Sequence, residues 1–215
     1  MRKINWRYAI GEFLIVVVSI VVAFQLDACK EIKDKATLRK EYLADIEVEL
    51  RSDSLYFEFA DSYLSKVKNQ IDSTERILES GESELSSVYS ESLQSFSSWY
   101  FIYVSNTAFQ DLNNSGRLNL IEFKEMRYNI ISYYQYIDFI EELDRQYSLS
   151  IIRMLEELLT RLDFREKEIL RVPEEDISTV LNYLRQKRKY IDSYLSQRSM
   201  CQNINNNIRE QIANM

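Results

Sequence analysis

Glycine and proline are nearly absent from this sequence of 215 residues, which contains three Gly and one Pro. Tight turns, β-bulges and phosphate-binding loops depend on these two residue types. An α/β or all-β fold of this length needs many such turns, so the composition predicts an all-α protein built from long helices. Glycines at positions 11, 81 and 116 also exclude the glycine-rich fingerprints of nucleotide-binding proteins.

Histidine is absent altogether, and the only cysteines are Cys29 and Cys201. Without histidine the chain cannot build Ser-His or Cys-His nucleophile pairs, nor a zinc site that uses imidazole. Two cysteines are too few for a disulfide framework. Acidic neighbours such as Glu141 and Glu142 do not face one another on a helix. The sequence therefore predicts no catalytic residue, no metal site and no cofactor, and we interpret the protein as a non-enzyme.

The net charge of −7 is unevenly distributed. Residues 1–8 carry Arg2, Lys3 and Arg7 and no acid, whereas the chain from Asp27 onward has 24 basic and 33 acidic residues. An acidic body repels the phosphates of nucleic acids. We therefore expect no DNA or RNA partner.

The longest apolar run covers residues 9–26 and reads AIGEFLIVVVSIVVAFQL. As a helix it rises ~27 Å, close to the hydrocarbon thickness of a bilayer. Trp6 and Tyr8 stand where an interfacial aromatic belt lies. We predict a basic tail over 1–8 and a single transmembrane helix over 9–26, with the lipid bilayer as partner. A short basic tail before such an anchor favours the bacterial inner membrane and a periplasmic C-terminal body, although basic residues also follow the anchor.

A cleaved lipoprotein signal is the alternative to this anchor. Leu26-Asp27-Ala28-Cys29 has the outline of a lipoprotein box in which Cys29 accepts the lipid. Asp27 fits that box poorly, and the sequence leaves open whether residues 1–28 are retained. Mass spectrometry of the mature N-terminus distinguishes the two.

Glu12 is the only acidic residue within the apolar segment. One interpretation places it at the membrane interface, where the helix N-terminus tolerates a carboxylate. The other starts from Ser19 and Ala23, whose small-xxx-small spacing lets two helices approach closely. Glu12, Ser19 and Ala23 would then form a transmembrane association seam, in a homo-oligomer or with another membrane protein.

After the anchor, the pattern predicts a long first helix over 27–80, a Ser-rich loop over 81–98 and further helices at about 99–115, 120–171 and 174–213 within the remaining bundle, 99–215. Leu55, Tyr56 and Phe59 add a second apolar flank to the first helix, which predicts burial among several helices. The Ser-rich loop is either a crossover or a partner-binding loop. Nine positions keep the helical rhythm of the first helix: Leu43, Ile46, Leu50, Phe57, Ala60, Leu64, Val67, Ile71 and Leu78.

These lengths carry a geometric prediction. A helix over 27–80 extends ~80 Å from the membrane and one over 120–171 returns ~78 Å, which would place Pro173 near the bilayer. The basic cluster of Arg185, Lys187, Arg188 and Lys189 would then lie a few turns above the membrane. It is either a solvated face that pairs with acids or a contact to anionic lipid.

Two segments resemble a family of uncharacterised bacterial single-pass membrane proteins, a domain of unknown function. Residues 8–26 resemble its YxxGExxLV-type anchor, and residues 106–121 with 130–134 are similar to its SGxLxLI…YY segment. The chain departs from the family pattern at residues 27–30, where members have an Asn-x-Trp sequence, and at Ser19, where glycine is usual. The resemblance implies an uncleaved anchor and a helical body, and no activity.

The second segment also has a physical interpretation as a helix corner. Ser115 and Gly116 permit a left-handed stop, and the flanking apolar residues point inward. A recognition site that contains Arg117 is the alternative. The corner residues are Ala108, Phe109, Leu112, Ser115, Gly116, Leu118, Leu120 and Ile121.

From these observations we expect a membrane-anchored, non-enzymatic scaffold or interaction protein that self-associates or binds a membrane partner. The alternative function is a sensor-like helical module that passes a signal across the membrane through a partner.

Overall fold

The computed structural model describes residues 6–81, 95–98, 104–160, 163–165 and 168–215, with side chains described outside 6–10 and 163–171. The prediction of an all-α fold, with a long apolar N-terminal helix that continues into a helical bundle, is confirmed, apart from one small hairpin. The elements are α1 (Trp6–Glu79), α2 (Thr107–Asn114), α3 (Lys124–Leu159), β1 (Asp163–Arg165), β2 (Glu168–Arg171) and α4 (Ile177–Ala213). Short 3-10 turns cover Leu118–Leu120 and Glu174–Asp176.

Helix α1 is one uninterrupted element of 74 residues, about 110 Å long. It contains both the predicted transmembrane segment and the predicted first helix of the body. It ends at Glu79, and Gly81 follows with φ +86°, a left-handed conformation that favours glycine. All nine positions of the helical rhythm predicted for this helix are buried.

The bundle consists of α1, α3 and α4, and α4 packs closely against both of the others. Arg185 near the start of α4 pairs with Glu79 at the end of α1, whereas Asn205 near the end of α4 bonds Leu50. Helix α4 is therefore antiparallel to α1. Helix α3 runs parallel to α1. The start of α3 lies beside the part of α1 around Arg39 and Glu49, and the end of α3 lies beside the start of α4.

The predicted position of Pro173 near the bilayer is wrong. Pro173 precedes the start of α4, which lies beside Glu79, at the end of α1 most distant from the apolar segment. The chain has already returned to the base of the bundle by Glu122, whose carboxylate meets Arg39 at 2.5 Å. Helix α3 consequently leads away from the apolar segment and α4 returns toward it.

The predicted helix over 120–171 is too long at both ends. Residues 118–120 form a 3-10 turn, α3 ends at Leu159, and β1 and β2 pair antiparallel, with Phe164 opposite Ile169. The backbone of Val172 cannot continue as a helix because the residue before proline is pushed into the extended region. The restraint on Val172 and the β-branched side chain of Ile169 both favour extended backbone here over a longer helix.

The predicted helix over 99–115 starts later than expected. Residues 99–103 lie outside the described residues, residues 104–106 are not helical, and α2 starts at Thr107. The side chain of Asn106 forms no cap; instead, the Glu49 carboxylate from α1 accepts the N–H of Ala108 in the first turn. A tertiary contact thus determines this helix start.

Two further boundaries differ from the predictions. Most of the predicted Ser-rich loop lies outside the described residues, and its described end, residues 95–97, is helical. The last helix starts at Ile177 rather than at 174, because residues 174–176 form the 3-10 turn that leads into it.

The predicted second apolar flank of α1 is not buried by the bundle. Leu55 and Phe59 are 65% and 60% exposed, and only Tyr56 is partly covered. Helix α1 packs against α3 and α4 on one side only, so the opposite side stays open within the described residues.

The backbone at Gly116 generates a stability prediction. Gly116 has φ +69°, and a Cβ added there would meet no atom within 4 Å. Replacing Gly116 with Ala therefore adds conformational strain without a clash, and should lower the free energy of unfolding by about 1–2 kcal/mol. The matched control is Asn114→Ala, an exposed helical position two residues earlier. Equal chemical-denaturation midpoints for the two variants would contradict the left-handed conformation.

Candidate functional site

Within the part of the chain that the structure describes, nothing buries the apolar segment of α1. The most apolar 18-residue window of α1 has a mean hydropathy of 2.1, and none of it is buried. It is long and apolar enough to cross a membrane. Glu12, Ser19 and Ala23 of the predicted seam are all exposed, and the Ser19 hydroxyl donates to the Ile15 carbonyl at 2.8 Å. No other segment among the described residues covers the seam.

The predicted corner residues lie together where the chain enters the base of the bundle. The N–H of Arg117 donates to the Leu112 carbonyl at 3.1 Å, and the N–H of Gly116 donates to the Asn113 carbonyl at 3.0 Å. These are the two hydrogen bonds of a Schellman motif, which closes α2 with Gly116 as its left-handed residue. Leu112 and Ile121 are buried, Ala108, Phe109, Leu118 and Leu120 pack partly buried against the core, and Ser115 is exposed.

The corner is fastened to α1 through Tyr42. The Tyr42 hydroxyl donates to the Asp111 carboxylate at 2.8 Å and accepts from the Arg117 guanidinium at 2.9 Å. Phe109 stacks on Tyr134 of α3, with ring centroids 4.4 Å apart. Arg117, the centre of the alternative recognition site, thus takes part in holding the corner against α1.

A buried polar layer crosses the bundle just above the corner. It consists of Glu49 and Asp53 on α1, Tyr133 and Tyr134 on α3, and Asn205 on α4. The two carboxylates are one helical turn apart, so they lie on the same side of α1. Each of the three helices of the bundle contributes to this layer.

Glu49 accepts three hydrogen bonds within the layer and its surroundings. The Tyr134 hydroxyl donates to Oε2 at 2.8 Å, while the Ser105 hydroxyl and the Ala108 N–H both donate to Oε1 at 2.9 Å. One carboxylate therefore ties α1 to α3 and to the start of α2. Such donors compensate for the loss of water around a buried carboxylate.

Asp53 and Asn205 form the other half of the layer. The Tyr133 hydroxyl donates to Asp53 Oδ2 at 2.8 Å. The Asn205 amide donates to the Leu50 carbonyl at 2.8 Å and to the Tyr133 hydroxyl at 3.3 Å. The Ser54 hydroxyl, 3.3 Å away, donates to the Asn205 carbonyl oxygen. A chain of hydrogen bonds thus connects α1, α3 and α4.

Burial determines which of these groups can change protonation. It raises the pKa of Asp53 to about 6, an effect that the nearby Glu49 charge reinforces and the Tyr133 hydrogen bond opposes. Burial also raises the pKa values of Tyr133 and Tyr134 well above the ordinary tyrosine value, and it raises the pKa of Cys201 to about 12. The phenols and the thiol therefore stay protonated, so the layer is suited to hold a proton at Asp53 rather than to attack a substrate.

The basic cluster of α4 lies at the distal end of the bundle. Arg185 pairs with Glu79 at 2.6 Å, and Arg188 with Asp72 and Glu75, each at 2.8 Å. Lys187 is buried and donates to the carbonyls of Ser95 and Phe96; burial lowers its pKa to about 7. Arg185 and Arg188 thus pair with acids at the far end of α1, ~70 Å along α1 from the apolar segment, as the first of the two interpretations expects.

The polar layer was not predicted from the sequence. Asp53 interrupts the apolar rhythm of α1, and this break was the available signal for a buried polar position. Its partners lie far apart in the chain, and neither the adjacent tyrosines 133 and 134 nor the Asn-rich run around Asn205 has a distinctive spacing. Only the packing of the three helices brings these side chains together.

Among the side chains that the structure describes, no group of three or more Cys, Asp or Glu is arranged to hold a metal ion. A cleft of about 360 Å³ opens at the base of the bundle between the start of α3 and the end of α4, and Phe123, Met126 and Met215 contribute its apolar lining. The Phe123 side chain is 59% exposed there.

Comparison with family models, curated proteins and solved structures finds no match to this chain. The resemblance to a family of single-pass membrane proteins therefore remains a prediction based on residues 8–26 and 106–134.

The raised pKa of Asp53 predicts a pH-dependent stability. The folded state holds its proton up to about pH 6, whereas the unfolded chain releases it near pH 3.8. Between these values the folded state binds more protons, so this group makes the protein less stable as the pH rises from 4 to 7. The Asp53→Asn variant lacks this contribution. The difference between its free energies of unfolding at pH 5 and pH 7, measured with urea, should therefore be smaller than that of the wild type.

The control for this measurement is Asp45→Asn, an exposed carboxyl on the same helix, which should keep the wild-type pH dependence. An unchanged pH dependence in Asp53→Asn would show that Asp53 is already ionised at pH 5.

Proposed function

We propose that this protein is a membrane-anchored, non-enzymatic scaffold or interaction protein whose helical bundle is held at a fixed height above a bilayer. The apolar segment supports the anchor, because its side chains are uncovered and its length matches the hydrocarbon core. The bundle supplies the surface for partners, and the polar layer keeps its three helices in one register.

The continuity of α1 is the observation that carries this proposal. The same helix contains the apolar segment, an exposed stretch over residues 27–35 and the core-forming positions from Tyr42 onward. A flexible linker would let the bundle move freely, whereas an unbroken helix restricts its height and tilt. The exposed stretch would keep the base of the bundle ~20 Å from the end of the apolar segment.

For location, we propose the bacterial inner membrane with the bundle on the periplasmic side. The basic residues Arg2, Lys3 and Arg7 precede the apolar segment directly and favour a cytoplasmic tail. The lipid bilayer is then the first partner, and an unidentified membrane protein or a further copy of the chain the second.

A sensor-like module that signals through a partner is the second candidate function. The buried carboxyl of Asp53, with a pKa of about 6, lies on the same rigid helix as the apolar segment. A proton bound or released there changes the packing of α1 against α3 and α4. An unbroken α1 could pass such a change to the membrane.

Membrane association of the full chain tests the anchor. A lysine at the centre of the apolar segment, Val17→Lys, should cost about 2.5–3.5 kcal/mol of insertion free energy and shift the protein out of the carbonate-resistant membrane fraction. Leu149→Lys, at a 52% exposed apolar position on α3, is the matched control and should remain in the membrane. Wild-type protein recovered in the soluble fraction would contradict the proposal.

The mature N-terminus provides an independent check. Intact-mass analysis of the membrane fraction should show that residues 1–28 are present and that Cys29 carries no lipid. Loss of these residues would replace the helical anchor with a lipid anchor and break the continuity on which the proposed function depends.

A further inference from the structure

The exposed stretch over residues 27–35 lies between the apolar segment and the bundle. All of its residues are exposed, and the first buried position of α1 after it is Tyr42. Lys35 pairs with Glu31 at 2.6 Å, one turn away on the same helix. Within the described part of the chain, no hydrogen bond or ion pair joins the stretch to another element.

This lack of tertiary contacts lets the stretch open more readily than the part of α1 inside the bundle. Without packing, a helix is held by its own hydrogen bonds, and isolated helices of fewer than about 12–15 residues are marginal in water. The pair of Glu31 and Lys35 is exposed on both sides and adds little. Segments with few buried contacts unfold locally at a low cost in free energy.

Three lysines lie within the exposed stretch: Lys30, Lys33 and Lys35. Proteases cut exposed backbone that opens locally, at a rate that follows the population of the open form. Lys66 is an equally exposed lysine inside the bundle, but Leu64 and Val67 beside it are buried. Opening the helix at Lys66 would bring these apolar side chains into water, whereas opening the stretch uncovers none.

A cut in the exposed stretch removes no buried residue from the bundle. The buried positions of α1 start at Tyr42, so the whole apolar core and the carboxylates of Glu49 and Asp53 stay on one fragment. Arg39, which pairs with Glu122 at 2.5 Å, also stays with it. The fragment therefore keeps every described contact that holds the bundle together and loses the apolar segment.

We propose that the exposed stretch is a proteolytic processing site, at which an endoprotease that cuts after lysine releases the folded bundle from the membrane. Water hydrolyses the peptide bond that follows Lys30, Lys33 or Lys35, which leaves a carboxylate on the lysine and an amine on the next residue. This inference rests on the proposed membrane anchor, because the bundle is then attached to the bilayer through α1.

Digestion of freeze–thawed membranes that carry the full-length protein tests the release. A lysine-specific endoprotease should move the bundle into the supernatant as a helical fragment. Mass analysis should show that this fragment begins at Glu31, Asp34 or Ala36. Cleavage after Lys66 should be at least about ten-fold slower, because opening there uncovers Leu64 and Val67.

A charge-conserving variant is the matched control. The triple substitution Lys30→Arg, Lys33→Arg and Lys35→Arg keeps the charge and the helix propensity of the stretch but removes the cleavage points of a lysine-specific enzyme. Its bundle should stay in the membrane pellet under the same digestion.

Each other outcome overturns the processing site. Equal release of the triple variant would show that the cut lies elsewhere, and cleavage after Lys66 at the same rate as in the stretch would show that the stretch is not more open than the bundle. Full-length protein that stays intact in the membranes overturns the processing site and leaves the proposed anchor in place. Absence of the protein from the membranes before digestion overturns both.

Discussion

The unbroken backbone of α1 is the constraint on which the rest of this structure depends. Between Gly11 and Gly81 the helix contains neither glycine nor proline. A glycine in a helix interior costs about 1 kcal/mol and a proline about 3 kcal/mol, so their absence lets one helix serve two environments. The same helix supplies the apolar segment, the exposed stretch and one of the three helices of the bundle. Contacts with α1 therefore determine where the other helices lie along the bundle axis.

The buried polar layer fixes how the other helices meet α1. Glu49 and Asp53 have lost most of their contact with water, and the donors that replace water come from α2, α3 and the segment before α2. A shift of α3 by one turn, ~5.4 Å, would remove the Tyr133 hydroxyl from Asp53 and the Tyr134 hydroxyl from Glu49. We therefore attribute part of the register of the bundle to this layer, together with the packing of the apolar core.

Features determined by local sequence could be predicted, and features determined by distant contacts could not. The core positions of α1 follow from helical periodicity, and the corner at Gly116 follows from apolar residues around a glycine stop. The direction of α3 depends on how the chain returns from Gly81 to Thr107, which periodicity does not encode. Tyr133, whose hydroxyl donates to Asp53, is 80 residues away in the sequence. The interruption of the apolar pattern at Asp53 therefore does not identify the group that it bonds.

The rigidity of α1 can be measured directly by a distance between two spin labels. Cys29 in the exposed stretch and Ser65→Cys in the bundle are both exposed and, at 36 residues apart, lie on the same side of the helix. In vesicles, with labelled protein diluted into unlabelled protein, one continuous helix predicts a narrow distribution centred near ~54 Å. A broad distribution at shorter distances would show that α1 bends or breaks between anchor and bundle, and would contradict the account.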